Sequence, residues 1–64
     1  MWIRFNDGYI NFDWISQIDT CIEDDSYLIV VCNWEKVWIE WQFNSREERD
    51  KEYDRIIAEL RGEK

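Results

Sequence analysis

Apolar and polar residues alternate along most of the first two thirds of the chain, which predicts a β-sheet. The clearest period of two lies in residues 37–43, and weaker alternation in 2–5, 9–12 and 17–23 predicts three more strands. Residues 27–32 are apolar at every position, a pattern typical of a strand that is covered on both faces.

Polar segments between these stretches predict the connections. Asn6-Asp7-Gly8 and Asp24-Asp25-Ser26 contain the residues that tight turns favour, and 33–36 predicts a four-residue connection. A bend is expected over residues 13–16, because the spacing of three between Ile15 and Ile18 fits a single helical turn better than a strand.

A helix is predicted over residues 46–61. Ser45 and Glu48 form a capping box, and Gly62 suits the position just after the last helical turn. An apolar stripe follows the helical period at Tyr53, Ile56, Ile57 and Leu60.

The predicted fold class is α+β, in a single domain of residues 1–64. A four- to five-stranded antiparallel β-sheet (a meander) over about residues 2–43 is followed by the helix, which packs on one face. Nothing else in the chain is left to cover the other face, which residues 27–32 make apolar. We therefore expect a homo-oligomer, most simply a dimer, because domains this small are marginally stable alone.

The net charge of −7 is concentrated in the predicted sheet. Only Arg4 and Lys36 oppose eight acidic residues in 1–45, which carry −6 of the total. Such a surface repels nucleic acid and anionic lipid and attracts basic surfaces. Six of these acids are the candidate residues for charge complementarity with a partner: Asp19, Glu23, Asp24, Asp25, Glu35 and Glu40. An alternative reading is that they only keep a Trp-rich sheet in solution.

The chain has more aromatic residues than a core of this size needs, with five Trp among 64 residues. Trp and Tyr dominate the energetics of many protein interfaces. We expect Trp2, Tyr27, Trp34 and Trp38 to lie outward together as apolar anchors, whereas Trp41 is assigned to the core.

Catalytic and metal chemistry are poorly supported. The chain has no His, and the only obvious carboxylate pair, Asp24-Asp25, falls in a predicted turn. Cys21 lies between Asp19 and Glu23, which disfavour a thiolate. We expect no enzyme activity, no cofactor and no metal site, since a Ca²⁺-binding loop is absent as well.

The two cysteines fall on neighbouring strands but out of register, so we expect reduced thiols and a cytoplasmic protein. No signal peptide or membrane-spanning stretch is visible, and a chain that opens with Met1 is expected to be complete.

Three functions remain open. The first is a dimeric binding protein that masks a basic surface on a partner protein, without direct nucleic-acid or membrane binding. The second is a module that binds a small planar ligand or nucleotide between Trp residues at a subunit interface. The third is a structural accessory subunit.

A short strand, the Asp7-Gly8 turn, Ile-rich strands and a charged closing helix follow one another in this order. This layout resembles short acidic proteins of bacteria and their phages, and its strand order resembles that of the small flagellar protein family FlbD. Trp34-Glu35-Lys36 departs from the Asn-Gly-type turn expected there. What the resemblance implies is a phage-type inhibitor of a host or defence system, and no functional residue is transferred from it.

Overall fold

Five strands and one helix make up the fold in the computed structural model, which describes residues 1–62. The strands are β1 (Trp2–Phe5), β2 (Gly8–Asn11), β3 (Ile15–Glu23), β4 (Ser26–Asn33) and β5 (Trp38–Phe43). A short 3₁₀ helix (Phe12–Trp14) joins β2 to β3, and helix α1 (Arg46–Leu60) follows the last strand. The α+β class is confirmed, and the last two residues of the predicted 1–64 domain lie outside the described residues.

The strands form two antiparallel sheets, so the prediction of a single sheet was wrong. The order β3-β4-β5 makes a three-stranded sheet, and β1 and β2 pair only with each other. Ile3 and Phe5 on β1 are buried in the same core as Ile29 and Val31 on β4. The hairpin is therefore a second layer that shares one face of the larger sheet with α1.

The bend predicted over residues 13–16 overlaps the 3₁₀ helix Phe12–Trp14, but Ile15 and Ser16 already belong to β3, where a β-bulge lies. Ile15 pairs with Asn33 whereas Gln17 pairs with Cys32, so Ser16 is an extra residue on β3. Because the extra residue changes which face the following side chains point to, both isoleucines pack against the core despite a spacing of three.

The predicted turns form where expected, but with different backbone geometry. Asp24 and Asp25 both have positive φ (49° and 66°), as the commonest two-residue hairpin requires. In the first hairpin Asn6 has positive φ (58°), and Gly8 is already the first residue of β2. Asn and Asp tolerate this region better than other non-glycine residues because their short polar side chains bond locally.

Helix α1 begins at the predicted residue and ends at Leu60, one residue before the predicted end. The Ser45 hydroxyl accepts a hydrogen bond from the Glu48 backbone N–H (3.2 Å), and Gly62 has a φ of 75° after the last turn. Ile56 is fully buried, whereas Leu60 remains largely exposed. Arg49 is also buried, a member of the packed stripe that the sequence pattern does not show.

Two arginines attach α1 to the strands. Arg55 Nη2 donates to the Arg4 carbonyl (2.9 Å), and its guanidinium also pairs with Glu52 (2.8 Å). Arg49 Nη1 donates to the Cys21 carbonyl (3.3 Å) at the other side of the helix. These contacts complement the apolar core and fix the helix across β1 and β3.

The face of the three-stranded sheet that is turned away from α1 is covered in part by its own side chains. Leu28 and Val30 lie on this face, and each is only 5% exposed. Their partners in the register are Cys21 and Asp19 on β3 and Gln42 and Glu40 on β5. The expectation that nothing in the chain covers this face was therefore wrong for the central strand.

Candidate binding surfaces

The sheet face turned away from α1, called the uncovered face below, carries acidic residues and no basic one at its described strand positions. In the register, Asp19 and Glu40 lie on either side of Val30. The strand positions on this face are Gln17, Asp19, Cys21, Glu23, Ser26, Leu28, Val30, Cys32, Trp38, Glu40 and Gln42. Two of the predicted acidic residues are thus brought together across the central strand.

Hydrogen bonds between side chains hold the edges of the uncovered face. The Trp38 indole N–H donates to Glu40 Oε1 (2.9 Å), and Gln17 Nε2 donates to Asp19 Oδ2 (2.8 Å). Each bond joins residues two apart on one strand, which lie on the same face. The two carboxylates are therefore held beside Val30 in defined positions.

One end of the uncovered face is the more acidic end. Glu23, Asp24 and Glu40 are among the residues that line a shallow depression of about 230 Å³. Asp25 lies beside them in the turn and is exposed. Within residues 1–62 no group of His, Cys, Asp or Glu is arranged to hold a metal ion.

The opposite end of the same sheet is aromatic. Because the strands are antiparallel, the start of β3, the end of β4 and the start of β5 meet there. Trp14, Trp34 and Trp38 are 66%, 80% and 61% exposed at this end. Val37, the residue before β5, is exposed as well (48%).

Two of these indoles line an open cleft of about 430 Å³. Its lining residues are Asp13, Trp14, Asn33, Trp34 and Glu35, and we call it the indole cleft. One wall comes from the 3₁₀ helix before β3, and the other comes from the turn after β4. The pairing of Ile15 with Asn33 brings the two walls together.

An asparagine fixes each wall of the indole cleft. Asn33 Oδ1 accepts hydrogen bonds from the backbone N–H groups of Glu35 and Val37 (both 2.9 Å). Asn11 Oδ1 accepts from the Asp13 backbone N–H (3.1 Å) and caps the 3₁₀ helix. Both walls are thus held by local bonds rather than by contacts across the cleft.

The expectation that four aromatic anchors lie outward together was wrong for two of them. Tyr27 is half-buried on the helix side, packs against the core, and lies under the Arg49 guanidinium, 5.5 Å from the ring centroid. Trp2 is exposed, but on the outer surface of the β1-β2 hairpin, opposite Asn11. Only Trp34 and Trp38 share one end of the three-stranded sheet.

Sequence reasoning missed Asp13 and Trp14 as members of a site. The only local signal for them is Asn11, which is two residues before Asp13 and so suits the cap that it forms. Their position beside Trp34 in one cleft depends on strand register, which the alternation of apolar residues does not define across a bulge.

None of the described helices is long and apolar enough to cross a membrane. No protein-family model matches the chain, and no curated protein or solved structure was found to match it. The resemblance to FlbD and to short phage proteins therefore stays a prediction.

Proposed function

We propose that this protein is a non-enzymatic binding protein of the cytoplasm that masks a basic surface on a partner protein and so inhibits it. The observation that supports the proposal is the uncovered face, where Asp19, Glu40 and Glu23 surround a buried apolar strand without any basic neighbour on that face. A partner with clustered Lys or Arg side chains is complementary to this arrangement.

Electrostatics favours a protein partner over nucleic acid. Aromatic side chains on a sheet are a common platform for bases, but that mode needs cations to neutralise the phosphates. Here Arg49 and Arg55 are both engaged in contacts that hold α1, and the charged residues at the strand positions of the uncovered face are all carboxylates. A basic protein surface satisfies the same carboxylates and gains fast, steered association.

The experiment compares two double variants that remove equal charge from different places. Asp19→Asn with Glu40→Gln neutralises the uncovered face and keeps both side-chain acceptors. Glu47→Gln with Asp54→Asn is the control, because both residues are exposed on α1. Binding of a lysine-rich peptide of defined sequence is measured by calorimetry at low and at high salt.

We expect the face variant to bind about fivefold more weakly, since each exposed ion pair is worth about 0.5 kcal/mol. The helix variant, with the same net charge, is expected to lose less affinity for the peptide. High salt is expected to weaken peptide binding by all three proteins. Equal losses in both variants would show that only the total charge matters and would overturn the proposal, as would no loss in either.

The proposal includes self-association through the aromatic end of the sheet. Trp38 is 61% exposed on the uncovered face, and its burial against a second copy would remove apolar surface from water. Sedimentation equilibrium is expected to give about twice the 8.0 kDa of one chain, and Trp38→Ser to give one chain mass, with Trp2→Ser as the control. If the wild-type protein is a monomer at micromolar concentration, self-association is overturned, and the proposal that the protein masks a basic surface is unaffected.

A further inference from the structure

The indole cleft combines two exposed aromatic side chains with the Glu35 carboxylate, which makes no ion pair within residues 1–62. We propose that it binds the guanidinium group of an arginine side chain on the partner protein. This inference rests on the proposed function, because it names a chemical group that the masked basic surface presents. It depends on different residues from those of the uncovered face.

The two indoles are available for stacking. Trp14 and Trp34 are 66% and 80% exposed, and both line the cleft. The aromatic ring contacts among the described residues join Trp41 to Phe5 and to Phe43, so neither cleft indole stacks on another ring. Guanidinium groups are planar and weakly hydrated, and they stack on the faces of Trp rings better than on other aromatic rings.

The charge of the lining selects a cation. Asp13 and Glu35 are the two charged residues that line the cleft. Asp13 Oδ2 already lies 2.9 Å from the Met1 amino group, whereas the Glu35 carboxylate makes no ion pair or hydrogen bond within residues 1–62. A free carboxylate beside aromatic faces can accept two parallel N–H donors from one guanidinium.

The backbone that carries these groups is ordered before any ligand binds. The two bonds that Asn33 accepts fix the turn that carries Trp34 and Glu35, and the bond from Asp13 to Asn11 fixes the wall that carries Trp14. A site whose backbone is already ordered loses less conformational entropy on binding. The cleft therefore suits a small, rigid group better than an extended segment.

Other occupants fit these observations less well. A neutral planar ring would stack on the indoles but leave the Glu35 carboxylate unused. A lysine ammonium is a compact, strongly hydrated charge that cannot stack. An anionic or phosphorylated group would be repelled by both carboxylates that line the cleft.

The test titrates the full chain with three blocked amino acids that differ only in the end of the side chain. N-acetyl-arginine methylamide is the probe, the lysine analogue tests charge without planarity, and the citrulline analogue tests planarity without charge. Binding is measured by Trp fluorescence and by the shifts of the indole N–H signals in NMR. We expect arginine to bind most tightly and citrulline to bind at least about tenfold more weakly, because its neutral end forms no charge-assisted bonds.

Three single variants locate the site. Glu35→Gln is expected to lower the affinity for arginine about fivefold, and Trp34→Leu about threefold to tenfold, from the loss of one charged acceptor and one cation–π face. Trp2→Leu is the matched control, because Trp2 is as exposed as Trp14 but lies on the hairpin. Because Trp34 and Glu35 are exposed residues of a turn, unfolding curves are expected to be unchanged.

Each outcome decides the inference. Equal binding of citrulline and arginine, or equal losses in Trp2→Leu and Trp34→Leu, would overturn a guanidinium site in the cleft. If arginine does not bind but the two double variants still differ in affinity for the lysine-rich peptide, the guanidinium site is overturned and the masking proposal is left intact. Arginine binding that is lost in Glu35→Gln, without any effect of Asp19→Asn and Glu40→Gln on the peptide, supports the cleft and overturns the masking proposal.

Discussion

Arg49 is the side chain whose replacement tests the packing of α1 most directly. The residue is 8% exposed, and its guanidinium donates to the Cys21 carbonyl across the helix–sheet boundary and lies over the Tyr27 ring. It also pairs with Asp50, its neighbour in the chain (2.9 Å). We predict that Arg49→Met destabilises the fold substantially, although methionine preserves the packing of the aliphatic stem.

The magnitude follows from three losses and one gain. A hydrogen bond from a charged donor contributes about 1.5–3 kcal/mol, and the cation–π contact about 0.5–2 kcal/mol. The pair with Asp50 is half-exposed on the carboxylate side and contributes at most about 1 kcal/mol. Against these, the variant no longer desolvates a guanidinium, so we expect a net loss of about 2 kcal/mol.

A loss of this size is readily measured in so small a domain. At about 0.05–0.15 kcal/mol per residue the whole fold has a stability of only several kcal/mol. The midpoint of thermal unfolding should fall by about 8–16 °C, and the urea midpoint should fall in parallel. Arg46→Met is the control with the same change in charge, because Arg46 is exposed and makes no side-chain bond within residues 1–62. It should alter stability by less than about 0.5 kcal/mol.

The reasoning is refuted if Arg49→Met unfolds at the same urea concentration as wild type. Such a result would mean that the free-energy cost of burying the guanidinium cancels the stabilisation from all of its contacts. Arg49→Lys separates the remaining possibilities, because lysine keeps the charge but lacks the forked donors. We expect its stability to lie between those of wild type and the methionine variant.

Two further substitutions test the remaining packing and the indole cleft. Asn33→Ala removes an acceptor of two backbone bonds and should cost about 1–2 kcal/mol in urea unfolding and weaken arginine binding, whereas Asn44→Ala, at an exposed position, should leave both measurements unchanged. Ile56→Ala empties a fully buried position and should cost about 2–5 kcal/mol by the same assay, and the exposed Leu60→Ala should cost less than about 1 kcal/mol; equal costs would contradict the observed helix packing.

The elements were predictable because their signals are local. Alternation of apolar residues located the strands, and the Ser45 hydroxyl caps α1 at the residue where the capping box placed it. Gly62 likewise has the positive φ that its position after the helix predicted. Each of these features depends on residues within one or two turns of chain, so the sequence carries the whole signal.

The arrangement of the elements was not predictable in the same way. Whether β1 and β2 join the larger sheet depends on pairing between distant residues, and the hydrophobic pattern is the same in either case. Ser16 is an extra residue in the bulge, and the strand register therefore pairs Ile15 with Asn33. Because the sequence does not predict this register, it does not predict the indole cleft.

Tyr27 and Arg49 form a contact that the sequence pattern does not reveal. A run that is apolar at both parities does not indicate which of its residues lie on the helix side, so Tyr27 was assigned outward. In the structure its pairing with Ile22 and Phe43 places the ring on the helix side, where it supports a buried arginine. Arg49 lies at a helical spacing from Tyr53. A charged residue of a helix is predicted to be exposed unless its aromatic partner is already known.

Three exposed indoles lie at one end of the three-stranded sheet, and this changes how binding is expected to work. Leu28 and Val30 are shielded within the chain, so the uncovered face offers a partner mainly carboxylates, whereas Trp14, Trp34 and Trp38 offer aromatic surface at the far end of β4. Charges act over roughly a Debye length and govern encounter, while indoles act only in contact and govern how long a complex lasts. Neutralising Asp19 and Glu40 should therefore slow association, and truncating Trp34 should speed dissociation. A single patch that mixed both functions would not separate the two rates.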